Sequence, residues 1–90
     1  MPTIILYSKP GCHLCEGLQE KLAQIQDLEF QIEIRDITTQ PDWFAAYEYE
    51  IPVLFYRRDA STTTENPIPR PAPRWSVLQL QKHLQPYLQP

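Results

Sequence analysis

Thr3-Ile4-Ile5-Leu6-Tyr7-Ser8-Lys9-Pro10-Gly11-Cys12-His13-Leu14-Cys15 decides the reading of this chain. Its first half is a continuous apolar, β-branched run, the pattern of a strand covered on both faces, and Ser8-Lys9-Pro10-Gly11 ends it. Its second half opens a helix. From Cys12 to about Gln26, Leu14, Leu18, Leu22 and Ile25 recur at three- and four-residue spacing with polar residues between them. Cys12 and Cys15 thus share one face of a helix start, about 5 to 6 Å apart, a separation that a disulfide can bridge.

That placement carries the chemistry. Cys12 faces unpaired N–H donors and the positive end of the helix dipole, which favour thiolate over thiol. A fall of its pKa from about 8.5 towards 7 raises the thiolate fraction at neutral pH from a few per cent to about half. Cys12 is read as the nucleophile, and Cys15, one turn inside and more covered, as the thiol that resolves a mixed disulfide. Lys9 can add positive charge beside Cys12 or meet a substrate carboxylate, and His13 can tune the thiolate when protonated; both positions equally suit solvated surface residues.

The chain holds only two cysteines, so a structural disulfide framework is excluded. A zinc site would need four ligands, and the soft ligands of the chain are two cysteines, Cys12 and Cys15, and two scattered histidines, His13 and His83, so no metal site is expected. His83 reads as a surface residue favoured near the negative end of the last helix. The alternative class is a binding protein of the same fold, either holding a cluster between two chains or sensing redox state without turnover.

Working outward, Phe30, Ile32 and Ile34 alternate with Gln31, Glu33 and Arg35, which predicts a half-buried second strand at a sheet edge. Thr38 to Asp42 is a loop into a short helix of about Pro41 to Tyr47, with proline in its first turn. Ile51 to Tyr56 is a third strand, and a last helix starts at Ser76 with Gln79 completing a capping box and Trp75 and Leu80 in staple positions. It should run to about Leu84 or slightly beyond. Pro67, Pro69, Pro71 and Pro73 fall on alternate residues. In a strand they strip donors from one side only, so part of Thr63 to Ala72 is expected to pair with Pro52 to Tyr56 as a blunted edge strand; a polyproline II ligand is the other reading.

Ninety residues suit one domain, 1–90. Eight Lys and Arg against eleven Asp and Glu give a net charge of −3, which argues against a nucleic-acid or anionic-membrane partner. No run reaches the roughly 18 apolar residues of a membrane span, and Met1 to Tyr7 lacks the basic start and cleavage site of a signal peptide. A cytoplasmic monomer is expected.

The order of motifs resembles the glutaredoxin branch of the thioredoxin-like fold: a strand, Lys9-Pro10-Gly11-Cys12-x-x-Cys15 opening a helix, then Asp36-Ile37, Ile51-Pro52-Val53 opening a third strand, and a closing helix. It is most similar to small bacterial and cyanobacterial glutaredoxin-like proteins with the motif Pro-Gly-Cys-His-Leu-Cys, and the likeness covers nearly the whole chain. The resemblance implies a three-layer α/β fold with three helices on a four-stranded mixed sheet of order β2-β1-β3-β4. It implies thiol–disulfide exchange by Cys12 and Cys15, with Lys9, His13, Leu14, Ile51 and Pro52 around the substrate. Pro52 would be cis, the backbone of Ile51 would be offered to an extended substrate, and Lys9 would meet the glutathione carboxylate. Substrates would be protein disulfides or glutathione disulfide, with no bound cofactor and with glutathione as a candidate co-substrate. Two features depart from the family pattern. His13-Leu14 replace the usual Pro-Tyr, and Arg70-Pro71-Ala72-Pro73-Arg74-Trp75-Ser76 replaces a Gly-Gly turn that holds the glutamyl end of glutathione, leaving Arg70 or Arg74 as candidate carboxylate binders.

Overall fold

The computed structural model describes residues 1–59 and 61–89. Strand β1 (Thr3–Ser8) is buried along its whole length because it has a neighbour on each side and helices on each face. It pairs in parallel with β2 (Gln31–Asp36), from Thr3 opposite Gln31 to Ser8 opposite Asp36. On its other side it pairs antiparallel with β3 (Val53–Arg57), from Thr3 opposite Arg57 to Tyr7 opposite Val53. Strand β4 (Asn66–Ile68) closes the sheet as β3's antiparallel partner, giving the order β2-β1-β3-β4. Helices α1 (His13–Ala23), α2 (Pro41–Tyr47) and α3 (Val77–Leu88) complete a three-layer α/β architecture, the thioredoxin-like fold.

Alternation along β1 divides the interior in two. Ile4 and Leu6 join Leu18, Leu22, Leu54, Ile68, Leu80 and Leu84 in the core under α1 and α3. Ile5 and Tyr7 point the other way, with Ile37, into a smaller core beneath Trp43 and Tyr47 of α2. Helix α3 begins as its sequence specifies: the Ser76 side chain accepts from the Gln79 N–H, and the Gln79 side chain accepts from the Ser76 N–H. It then runs a full turn past Leu84 and includes Pro86, whose missing donor falls in the last turn; this carries Leu88 into the core.

The edge strand expected within Thr63 to Ala72 forms and is three residues long. Only Asn66–Ile68 pairs with β3, and from Pro69 the chain leaves the ladder, where the start of β3 is preceded by Pro52, which has no N–H to donate. Two apolar expectations fail. Leu14 stands at the margin of the α1 stripe and is 51% exposed, so the stripe starts at Cys15; helix α1 begins one residue later than read, with Cys12 as its cap. Ile34 is 40% exposed because β2 is flanked on one side only. The polar face of β2 is instead half-covered. Arg35 donates to both Glu65 oxygens (3.0 and 2.8 Å), to Glu33 Oε2 (2.6 Å) and to the Tyr7 hydroxyl (2.7 Å), and its guanidinium lies 5.4 Å from the Tyr7 ring centroid. Arg57 joins the same two carboxylates at 3.4 Å each.

Candidate active site

Because β1 and β3 are antiparallel and Tyr7 faces Val53, the end of β1 that feeds Cys12 and the start of β3 lie at the same edge of the sheet. The Pro10-Gly11 turn makes the corner. Gly11 takes φ +83°, a conformation that a side chain would strain. The Cys12 N–H donates to the Lys9 carbonyl (3.2 Å), and the chain then enters α1.

Cys12 caps that helix. Its backbone is extended (φ −83°, ψ 101°), its carbonyl accepts the first helical bond from Glu16 (3.0 Å), and its Sγ accepts the Cys15 N–H at 3.2 Å. A sulfur thus occupies the place usually taken by a serine or aspartate oxygen. Cys15, one turn on, is 2% exposed, whereas Cys12 is half-buried. The two are joined as a disulfide with Cα atoms 5.3 Å apart. The two sulfurs therefore differ in access, which is the asymmetry that a nucleophilic and a resolving thiol require.

The remaining site residues named from sequence fall at the same edge, in different settings. Lys9 is exposed, and its backbone braces the turn. His13 is almost fully exposed (94% of its side chain), with Nδ1 3.7 Å from Glu16 Oε2. Leu14 and His13 form one wall of a groove of about 220 Å³ whose floor includes Pro52, Leu18 and Leu80. Neither cysteine lines it; the two residues between them do. Pro52 is buried and follows a cis peptide bond. Ile51 has both backbone polar groups in use: its N–H donates to the Tyr47 carbonyl (3.2 Å), and its carbonyl accepts from Arg70 Nη2 (2.9 Å).

The opposite wall is the segment from Arg70 to Pro73, with Trp75 behind it. Two carbonyls of the stretch 69–73 meet side chains, and that of Ala72 accepts from the Trp75 N–H (3.1 Å). Lys21 Nζ donates to Pro73 O (2.6 Å), and His83 Nε2 lies 2.7 Å from Pro69 O. A carbonyl can only accept, so His83 Nε2 is the donor in this contact. The surface reading of His83 is thereby corrected: it is half-buried, set edge-on to Trp75 (5.0 Å between centroids), and helps hold the proline segment. Lys21 and Trp75 are among the groove residues that sequence reasoning missed. The exposed face of α1 and a staple position gave no sign that a distant loop folds over them. Arg74 is exposed and outside the groove, so of the two candidate arginines only Arg70 lines it.

Among the described residues, no three His, Cys, Asp or Glu side chains are grouped to hold a metal ion. None of their helices is long and apolar enough to cross a membrane.

Compared with protein families, residues 3–85 match the glutaredoxin-like domain (DUF836). The match spans most of the chain, which therefore belongs to this glutaredoxin-like family. Comparison with curated proteins returned no match. A glutaredoxin-like domain with a Cys12–Cys15 pair fits a role in thiol redox chemistry.

Proposed function

We propose that this protein is a thiol–disulfide oxidoreductase in which Cys12 attacks and Cys15 resolves. The observation that carries the reading is the cap: Cys12 Sγ receives the Cys15 N–H at the positive end of an 11-residue helix, and Cys15 is buried behind it. In the reduced protein that donor and the helix dipole favour a Cys12 thiolate. The thiolate attacks one sulfur of a substrate disulfide R–S–S–R′, forming Cys12–S–S–R and releasing R′S⁻. Cys15, deprotonated, then attacks Cys12 Sγ, releasing RS⁻ and closing the Cys12–Cys15 disulfide. Two electrons pass from the dithiol to the substrate. A thiol donor, either a dithiol protein or two glutathione molecules, returns them by the reverse exchange.

Lys9, His13, Leu14, Ile51 and Pro52 form the substrate's surroundings in this reading. Protein disulfides or glutathione disulfide are the substrates, with glutathione a candidate co-substrate rather than a resident cofactor. No bound metal is invoked, and a reducing compartment such as the cytosol suits a dithiol that must be recharged. The test is substitution: Cys12→Ser abolishes exchange with a disulfide substrate, while Cys15→Ser still attacks and accumulates mixed disulfides visible by intact mass. Turnover by Cys12→Ser equal to that of the unmodified protein contradicts the assignment.

A further inference from the structure

The chain is acidic overall, with a net charge of −3, yet the groove beside the cysteine pair is lined by two cations, Lys21 and Arg70, and by no carboxylate. Among the described residues neither cation pairs with an acid; each donates to a backbone carbonyl, Lys21 to Pro73 and Arg70 to Ile51. The Arg70 contact follows from the sheet. Leu54 faces Ile68 in the last pair of the β3–β4 ladder, so the chain running on from Ile68 carries residue 70 towards the start of β3, near Ile51. Ile51 lies two residues before β3, beyond the last β3–β4 pair, and the Arg70 guanidinium occupies its carbonyl.

Resting on the exchange reading above, we propose that Arg70 is a latch that selects substrate proteins whose disulfide has an acidic residue close by in the chain. In the free protein Arg70 satisfies the Ile51 carbonyl. An incoming extended segment offers its own backbone N–H to that carbonyl, and its carboxylate takes the displaced guanidinium in a charge-assisted, bidentate pair, stronger than the arginine–carbonyl contact it replaces. A neutral segment must displace Arg70 without that return. From His13 to Lys21 the α1 wall of the groove extends about 12 Å at 1.5 Å per residue, room for about four extended residues.

The test uses three octapeptides, each with a single cysteine held as a mixed disulfide with thionitrobenzoate, differing only in Glu, Gln or Lys two residues from that cysteine. The expected kcat/KM ratio, Glu over Gln, is about threefold to tenfold for the unmodified protein, falling towards one in Arg70→Ala and at high salt. Arg70→Glu is expected to prefer a Lys peptide, a gain that a misfolded variant cannot give. In a Cys12→Ser, Cys15→Ser protein, the Ile51 carbonyl ¹³C resonance is expected to shift on addition of the thiol form of the Glu peptide and not of the Gln peptide. A ratio unaltered by Arg70→Ala, or an Arg70 dependence seen with oxidised glutathione and absent with the Glu peptide, overturns the proposal. If no disulfide is turned over while the Arg70-dependent binding of the Glu peptide persists, the exchange reading fails and the latch stands.

Discussion

The backbone N–H of Cys15 points at Sγ of Cys12 across 3.2 Å, so the buried cysteine's own peptide group serves the sulfur of the more accessible one. One helix start both creates the asymmetry of access and supplies the donor for a thiolate. The expected consequence is selective alkylation of the reduced protein. Iodoacetamide should modify Cys12 first, with a pH midpoint below about 8.5, and Cys15 far more slowly. Peptide mapping after a short pulse checks this, and equal labelling of the two contradicts it.

The ion network behind β2 makes stability pH-dependent. Hydrogen bonding from Arg35 holds the Glu33 carboxyl below its ordinary value of 4.5, against burial that pushes it up, and the charges of Arg35 and Arg57 add to the lowering. A carboxyl depressed in the folded state stabilises the fold above its unfolded pKa, and that contribution is lost as the pH falls through the folded value. Urea midpoints are therefore expected to be level near neutrality and to drop below about pH 4.5, with a shallower drop in Glu33→Gln. Because Glu33 is 39% exposed, solvent keeps its share small. Glu65→Gln removes the bidentate partner of the more covered Arg35 and is expected to cost about 1 to 3 kcal/mol at neutral pH.

Strand β4 offers a test by amide exchange. Pro67 faces Phe55 and has no N–H, so the ladder bonds of this short strand fall to its neighbours Asn66 and Ile68. Ile68 is buried, and its amide is expected to be protected well above those of the 61–64 segment. Loss of that protection in Leu84→Ala, which empties a fully buried position in the same core and should cost about 2 to 5 kcal/mol, would show that the edge strand depends on α3 packing. Fast exchange at Ile68 in the unmodified protein contradicts the pairing.

Local signals carried much of this architecture. The unbroken apolar run of β1, the Ser76–Gln79 capping box and the alternate prolines each specify their surroundings through backbone chemistry, and all three elements stand where that chemistry puts them. What the sequence could not supply is tertiary. Ile34 obeys the alternation of β2 but lies on an edge, and Leu14 obeys the helical spacing but lies at its margin; periodicity marks a face without saying whether anything covers it. The contacts of Arg35 with Glu65, Arg70 with Ile51, and His83 with Pro69 join residues 30, 19 and 14 positions apart, and side chains of these types are ordinarily solvated. Cys12 and Cys15 were legible because their spacing alone fixes their geometry; the groove beside them was not, since one of its walls comes from the far end of the chain.

The most direct test of the central claim is a mass-resolved redox titration of the purified protein in glutathione buffers, counting free thiols and bound glutathione at each potential. The account predicts reversible closure of Cys12 to Cys15 between about −180 and −270 mV, the range of working thiol oxidoreductases, and no closure in Cys12→Ser. Thiols that stay reduced throughout that range, or a pair that closes once and cannot be reopened, would contradict it.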